Sequence, residues 1–175
     1  MPSFPDYHES EAELSPTPRP TGKRAVFGCV AIALLFLGLL IFFGLWAAKE
    51  VRSSMRGTAA LQQGVDLIQE GQFTAAWSAL TTALENRLTT AQQAFALGDR
   101  GWSLTKLDRD PEAIRDFSAA LALDPNLGFA RIDRGLAYHR QGKYDEALAD
   151  YDRAIAGDPN LVDVYRNRAL ILAQR

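Results

Sequence analysis

Residues 128–161 read GFARIDRGLAYHRQGKYDEALADYDRAIAGDPNL, and residues 94–127 just upstream read AFALGDRGWSLTKLDRDPEAIRDFSAALALDPNL. The two align without a gap. Arg100-Gly101 returns as Arg134-Gly135, Ala113 as Ala147, Phe117 as Tyr151 and Ala120 as Ala154. The closing Asp124-Pro125-Asn126-Leu127 returns as Asp158-Pro159-Asn160-Leu161. The offset is about 34 residues each time, the length of one helix–turn–helix unit of a solenoid.

The residue types within a unit fit that reading. In the later copy the spacing predicts helix A over about 129–141 and helix B over about 144–156. Gly142 sits where a left-handed cap needs a residue without a Cβ. Asp158-Pro159-Asn160 stops helix B, because proline lacks the amide proton and clashes with the preceding turn. Gly135, Ala147 and Ala154 are small where helices must approach, and Tyr138, Tyr144, Leu148 and Tyr151 fill the space between them. In the upstream copy Asp108 replaces the capping glycine and Asp110 the aromatic that opens helix B. Asp110-Pro111-Glu112 still makes a helix start, so helix B is predicted over about 111–122 with poorer packing at its entrance.

These motifs resemble tetratricopeptide (TPR) repeats, and the resemblance covers roughly the last two thirds of the chain. It implies an all-α, TPR-type helical-hairpin solenoid of three repeats plus a closing helix. A first, degenerate repeat spans about 57–90, marked by Gly71-Gln72-Phe73 and by Ala76, Leu80, Ala83 and Leu84. A short link, Ala91-Gln92-Gln93, precedes the repeats at 94–127 and 128–161. Residues 162–175 then supply a closing helix, with Tyr165, Leu170 and Leu172 covering the last apolar face.

The rest of the chain sets a different context. Residues 1–24 are rich in proline, serine and acid and lack the apolar content for a core, so a disordered tail is expected. Residues 25–48, AVFGCVAIALLFLGLLIFFGLWAA, carry no charge. As a helix they would measure roughly 36 Å, enough to span a bilayer. Lys23, Arg24, Lys49 and Arg52 bracket the run, and Trp46 stands near its second interface. The run exceeds the apolar region of a cleavable signal peptide, which favours an uncleaved transmembrane helix in contact with lipid. Residues 49–56 read as a juxtamembrane linker into the 57–175 TPR domain; the membrane helix either continues through it with little interruption or bends at Ser53-Ser54 or Gly57. Basic residues on the two sides tie, so charge leaves the side of the repeats undecided. A short basic-flanked tail tips the balance toward non-cytoplasmic repeats.

Several functions are excluded or unsupported. A formal net charge of −2 gives no argument for nucleic acid. The single cysteine, Cys29, forbids an intramolecular disulfide, and most of the apolar run follows it, which argues against lipidation there. His8 lies in the tail and His139 stands alone on a helix. No catalytic triad, phosphate loop or metal-spaced cluster is readable, so the chain reads as no enzyme, without cofactor, metal or small-molecule substrate.

The resemblance implies instead a concave face lined by helix A of each unit. Its positions fall on Leu61, Val65 and Ile68 in the first repeat, and on Phe95, Trp102, Thr105 and Lys106 in the second. In the third they are Phe129, Ile132, Leu136, His139 and Arg140. The expected partner-binding groove is therefore Phe95, Trp102, Lys106, Phe129, Ile132, Leu136, His139 and Arg140. Relatives that grip acidic chaperone tails place Lys, Asn, Asn, Lys and Arg where this chain has Leu61, Val65, Asp99, Phe129 and Asp133. Two acids and three apolar residues cannot hold a carboxylate pair. Asp99-Arg100, Asp133-Arg134 and Asn167-Arg168 recur on successive helices A and predict a ladder of polar contacts between repeats. The expectation is a membrane-anchored protein-binding module, an adaptor, scaffold or assembly factor. A structural subunit that self-associates through its repeats is the alternative, and a targeting receptor a third.

Overall fold

A computed structural model describes residues 22–174. They form seven helices and no strand: α1 (Gly22–Gln69), α2 (Phe73–Leu84), α3 (Thr90–Lys106), α4 (Asp110–Leu123), α5 (Gly128–Arg140), α6 (Tyr144–Gly157) and α7 (Val162–Gln174). The chain divides into a unit ending at Leu45 and a second running from Trp46. The tail expected over 1–24 lies outside the described residues, except that 22–24 belong to the first turn of α1.

In the first unit, the residues from Leu34 to Leu45 are all exposed. Leu35, Leu40 and Phe42 are each about 70% exposed, with nothing polar among them. Among the described residues, α1 contains the one helix long and apolar enough to cross a membrane, by length and composition.

The second unit is built of hairpins, the end of α1 with α2, α3 with α4, and α5 with α6, followed by α7. The three turns within hairpins share one backbone conformation. Gly71, Asp108 and Gly142 have φ of 75°, 57° and 72°. Asp108 thus does the work of the glycine it replaces, and the turn keeps its shape.

Small residues set the distance between helices. A Cβ on Gly101 would stand 2.8 Å from the Phe117 ring, and one on Gly135 would stand 2.7 Å from the Tyr151 ring. Both rings are fully buried. Phe117 centres a core with Leu104, Leu121 and Leu127, and Tyr151 centres the next with Val164 and Ile171. Helix A backbones approach across repeats, α3 to α5 and α5 to α7, while the backbones of α2, α4 and α6 stay farther apart. The stack therefore curves with helices A on the inside.

Through residues 49–56, expected as a juxtamembrane linker, α1 runs unbroken, with no interruption at Ser53-Ser54 or Gly57. No proline interrupts them, and the α2–α3 loop packs onto this stretch. The Arg87 amide donates to Ser53 Oγ at 3.2 Å, Arg87 pairs with Glu50, and the Arg87 carbonyl closes on Gly57. Ala91-Gln92-Gln93, expected as a link, is instead the first turn of α3. Thr89 caps it, accepting from the Gln92 amide while Gln92 Oε1 accepts from the Thr89 amide.

Candidate binding groove

On the inner surface, α3 and α5 each present a stripe at helical spacing: Phe95, Asp99, Trp102 and Lys106 on α3, and Phe129, Asp133, Leu136 and Arg140 on α5. The stripes run side by side. Phe95 stacks on Phe129 with centroids 6.1 Å apart and planes at 17°. Phe95 is 48% exposed, whereas Phe129 is half-buried and covers Gly98. Trp102 is also half-buried. Its ring meets Phe73 edge-on at 5.2 Å, and Lys106 Nζ stands 4.8 Å above it. Trp102 and Phe129 both pack against the core around Phe117, so much of their apolar surface already serves the fold.

The remaining expected groove residues divide the same way. Ile132 packs against the core around Tyr151 and, with Phe129, Arg131, Arg153 and Leu161, lines an open pocket of about 490 Å³. Leu136 is half-buried. His139 lies tilted against Tyr144 and brings Nε2 to 3.4 Å from Gln174 Oε1 on α7. The Arg140 guanidinium donates to the Thr105 carbonyl at 3.2 Å and pairs with Asp108 and with Asp110, the latter at 3.1 Å. Arg140 thus ties one repeat to the turn of the preceding one. Burial pushes the Asp110 carboxyl up, against the opposing Arg140 charge.

The predicted polar ladder is formed by the arginines alone. Arg100 makes a two-pronged pair with Asp116 at 2.7 and 2.8 Å, and its other terminal nitrogen donates to Thr81 Oγ1 at 3.4 Å. Arg134 does the same with Asp150, both contacts at 2.7 Å, and with Ser118 Oγ at 3.0 Å. Each arginine therefore clamps helix B of its own repeat and touches helix B of the one before. The Asp150 hydrogen bond pushes the Arg134 pKa up. Arg168 turns to Asp152 on α6 at 2.6 Å.

Asp99 and Asp133 take no part in this ladder. One residue before each arginine is about 100° away around the helix, which turns them from the repeat interior to the inner surface. Both are half-buried, and among the described residues neither has an ion pair or hydrogen bond through its carboxylate. Burial raises each to about 6, with the Lys106 charge partly opposing this at Asp133. The sequence did carry the signal, since both aspartates fall on the stripes that hold Phe95 and Phe129.

The comparisons with known proteins agree with this architecture. One TPR family profile (Tetratricopeptide repeat) matches residues 61–128 and another (TPR repeat) matches 135–175. No curated protein matches the sequence. Among solved structures, the chain resembles the first TPR of Spaghetti (RPAP3) bound to HSP90 peptide SRMEEVD, at 21% identity and a TM-score of 0.65. That match covers 69% of this chain and 94% of the other. It also resembles the TPR2B domain of yeast Sti1 in its pHsp70 complex, at 26% identity and a TM-score of 0.63, covering 70% and 100% of the two chains. MamA matches at 23% identity and a TM-score of 0.64, covering 73% of each. With the repeat sequence, the hairpin stack, the family profiles and these neighbours in agreement, the chain belongs to the tetratricopeptide repeat proteins.

Proposed function

We propose that this chain is a membrane-anchored protein-interaction module that holds a partner protein in the groove lined by α3 and α5, as an adaptor, scaffold or assembly factor. The observation that carries the reading is the exposed Phe95 beside the half-buried Phe129 and Trp102 on the concave side of the stack. An aromatic ledge with a solvated front and a packed back binds without having to be ordered first. Two of the similar solved TPR domains hold chaperone peptides, which supports a protein as occupant. Nothing in the described residues groups His, Cys, Asp and Glu as a metal site would. The exposed apolar side chains of α1 support an anchor immersed in lipid. The reading puts the repeats on the non-cytoplasmic side, on the strength of the short basic-flanked amino-terminal tail alone.

The second reading, self-association, draws on α7, where Val162, Tyr165, Leu170 and Leu172 are 44–70% exposed; Val164 and Ile171 cover the last apolar face in place of the expected Tyr165, Leu170 and Leu172. A photo-crosslinking residue at position 95 in intact cells separates the two readings. Crosslinks to a different protein, not formed from the outward position 115, support the groove. A crosslink only to a second copy supports the subunit reading, and none at either position overturns both.

A further inference from the structure

We infer that the groove selects a partner segment bearing lysine or arginine side chains among apolar ones, with Asp99 and Asp133 as the carboxylates that receive them. This rests on the groove being the binding face.

The two carboxylates hold matching places on neighbouring helices, each preceded on its stripe by a phenylalanine: Phe95 before Asp99 on α3, and Phe129 before Asp133 on α5. The three buried acids of these repeats each have a cation: Asp116 has Arg100, Asp150 has Arg134, and Asp110 has Arg140. Asp99 and Asp133, partly buried, have no ion pair among the described residues. Each of the others is locked at 2.7–3.1 Å within the fold, so the fold can supply cations where it needs them. Burial without a partner disfavours the ionised form, a cost to the free protein that an incoming cation removes. The groove's own cations fill the role only in part. Arg140 is held by Asp108 and Asp110, and Lys106, over the Trp102 ring, acts on Asp133 through its charge without forming an ion pair.

The same groups disfavour the opposite choice. An acidic segment such as the SRMEEVD peptide held by the similar Spaghetti domain would bring carboxylates onto two unpaired aspartates. Packed helices lie about 8–10 Å apart, and an extended chain rises about 3.3 Å per residue. Two cations spaced two or three residues apart in an extended segment would therefore meet both aspartates, with apolar neighbours against Phe95 and Phe129.

The test uses the full chain in phosphatidylcholine nanodiscs, with empty nanodiscs as control, and three synthetic peptide sets. All share the same aromatic and aliphatic positions. The two spaced variable positions hold lysine or arginine, glutamine, or glutamate. Fluorescence anisotropy should show the cationic set binding about ten-fold tighter than the glutamine set at low salt, with the glutamate set weakest. The double variant Asp99→Asn with Asp133→Asn should erase the difference between cationic and glutamine sets while keeping glutamine-set binding. Equal affinity of the three sets, a preference for glutamate, or a cationic preference that survives the double variant overturns the inference and leaves the groove standing. No binding by any set overturns the groove reading as well.

Discussion

Arg140 and Asp108 are 32 residues apart in sequence and meet across the boundary between the second and third repeats, Arg140 Nη2 donating to Asp108 Oδ1 at 2.5 Å. The pair sits on the one turn whose left-handed residue is not glycine. Arg140 also reaches Asp110 and the Thr105 carbonyl, so one side chain fastens the end of α5 to the whole α3–α4 turn. The strained residue, Asp108, is also one of three partners of the Arg140 tie, so substituting it separates the two contributions.

A non-glycine residue at positive φ costs roughly 1–2 kcal/mol. An exposed ion pair returns at most about 1 kcal/mol, and the Asp108 side chain is 87% exposed. Asp108→Gly should therefore raise stability by up to about 1 kcal/mol, with Arg140 still held by Asp110. Asp108→Val should lower it by about as much or more, since a branched Cβ fits this conformation poorly. Urea unfolding of the full chain in micelles, followed by helical circular dichroism, measures both. A destabilised glycine variant would mean that the tie outweighs the strain.

The clamps of Arg100 and Arg134 differ in depth. The side chains of Arg134 and Asp150 are 17% and 3% exposed, against 21% and 11% for Arg100 and Asp116. Asp150→Ala leaves a guanidinium without its partner in the interior and should cost about 3–5 kcal/mol, more than Asp116→Ala. Replacing both members, Arg134→Met with Asp150→Leu, should recover most of that loss. The same unfolding assay as a double-mutant cycle decides it, and a double variant as unstable as the single one would show that packing, rather than the orphaned charge, sets the cost.

How much of this was readable beforehand varies with the physics involved. Helix ends in the third repeat, and those of helix B in the second, fall within about a residue of expectation, because glycine turns, Asp-Pro stops and the small–large pattern are local signals, whereas α3 starts at Thr90, ahead of the expected repeat. The passage of α1 through residues 49–56 was legible only as one of two alternatives, a continuing helix or a bend, since what supports that stretch is the loop carrying Arg87, more than thirty residues away. The groove was half legible. Helical spacing put Phe95, Trp102, Phe129 and their neighbours on one face, but spacing cannot tell a side chain that faces solvent from one that backs onto the core. Trp102 and Phe129 turned out to be shared between groove and core, and Arg140 to be a structural tie. Asp99 and Asp133 were grouped with the arginines beside them because adjacency in sequence masked a quarter-turn around the helix.

Gly135 tests the close approach within a hairpin. A Cβ there would meet Cε1, Cδ1 and Cζ of Tyr151 at 2.7, 3.0 and 3.3 Å, and that ring is fully buried and cannot retreat. Gly135→Ala should cost about 1–3 kcal/mol despite the better helix propensity of alanine. Gly128→Ala, where nothing lies within 4 Å of the new atom, should be neutral or slightly stabilising. Thermal melts of the two variants side by side give the comparison, and equal midpoints would refute the contact as the reason for glycine.

The inner aspartates predict an unusual dependence on pH. Burial raises Asp99 and Asp133 from 3.8 to about 6, so between about pH 4 and 6 the folded chain holds more protons than the unfolded one. Their penalty is fully present above pH 6, is relieved as the pH falls through 6, and is gone near 4. Stability should therefore rise on acidification from pH 7.5 to 5, by on the order of 1 kcal/mol per aspartate, or about 4 °C in melting midpoint. At lower pH the gain reverses, as Glu112, held below the usual carboxylate range by its hydrogen bond to Arg109, takes up its proton. Asp99→Asn with Asp133→Asn should raise the midpoint at pH 7.5 and flatten the rise toward pH 5. If the double variant keeps the wild-type profile, the acid-side gain belongs to other groups. If it melts lower at pH 7.5, the two carboxylates contribute to the fold through contacts beyond those described.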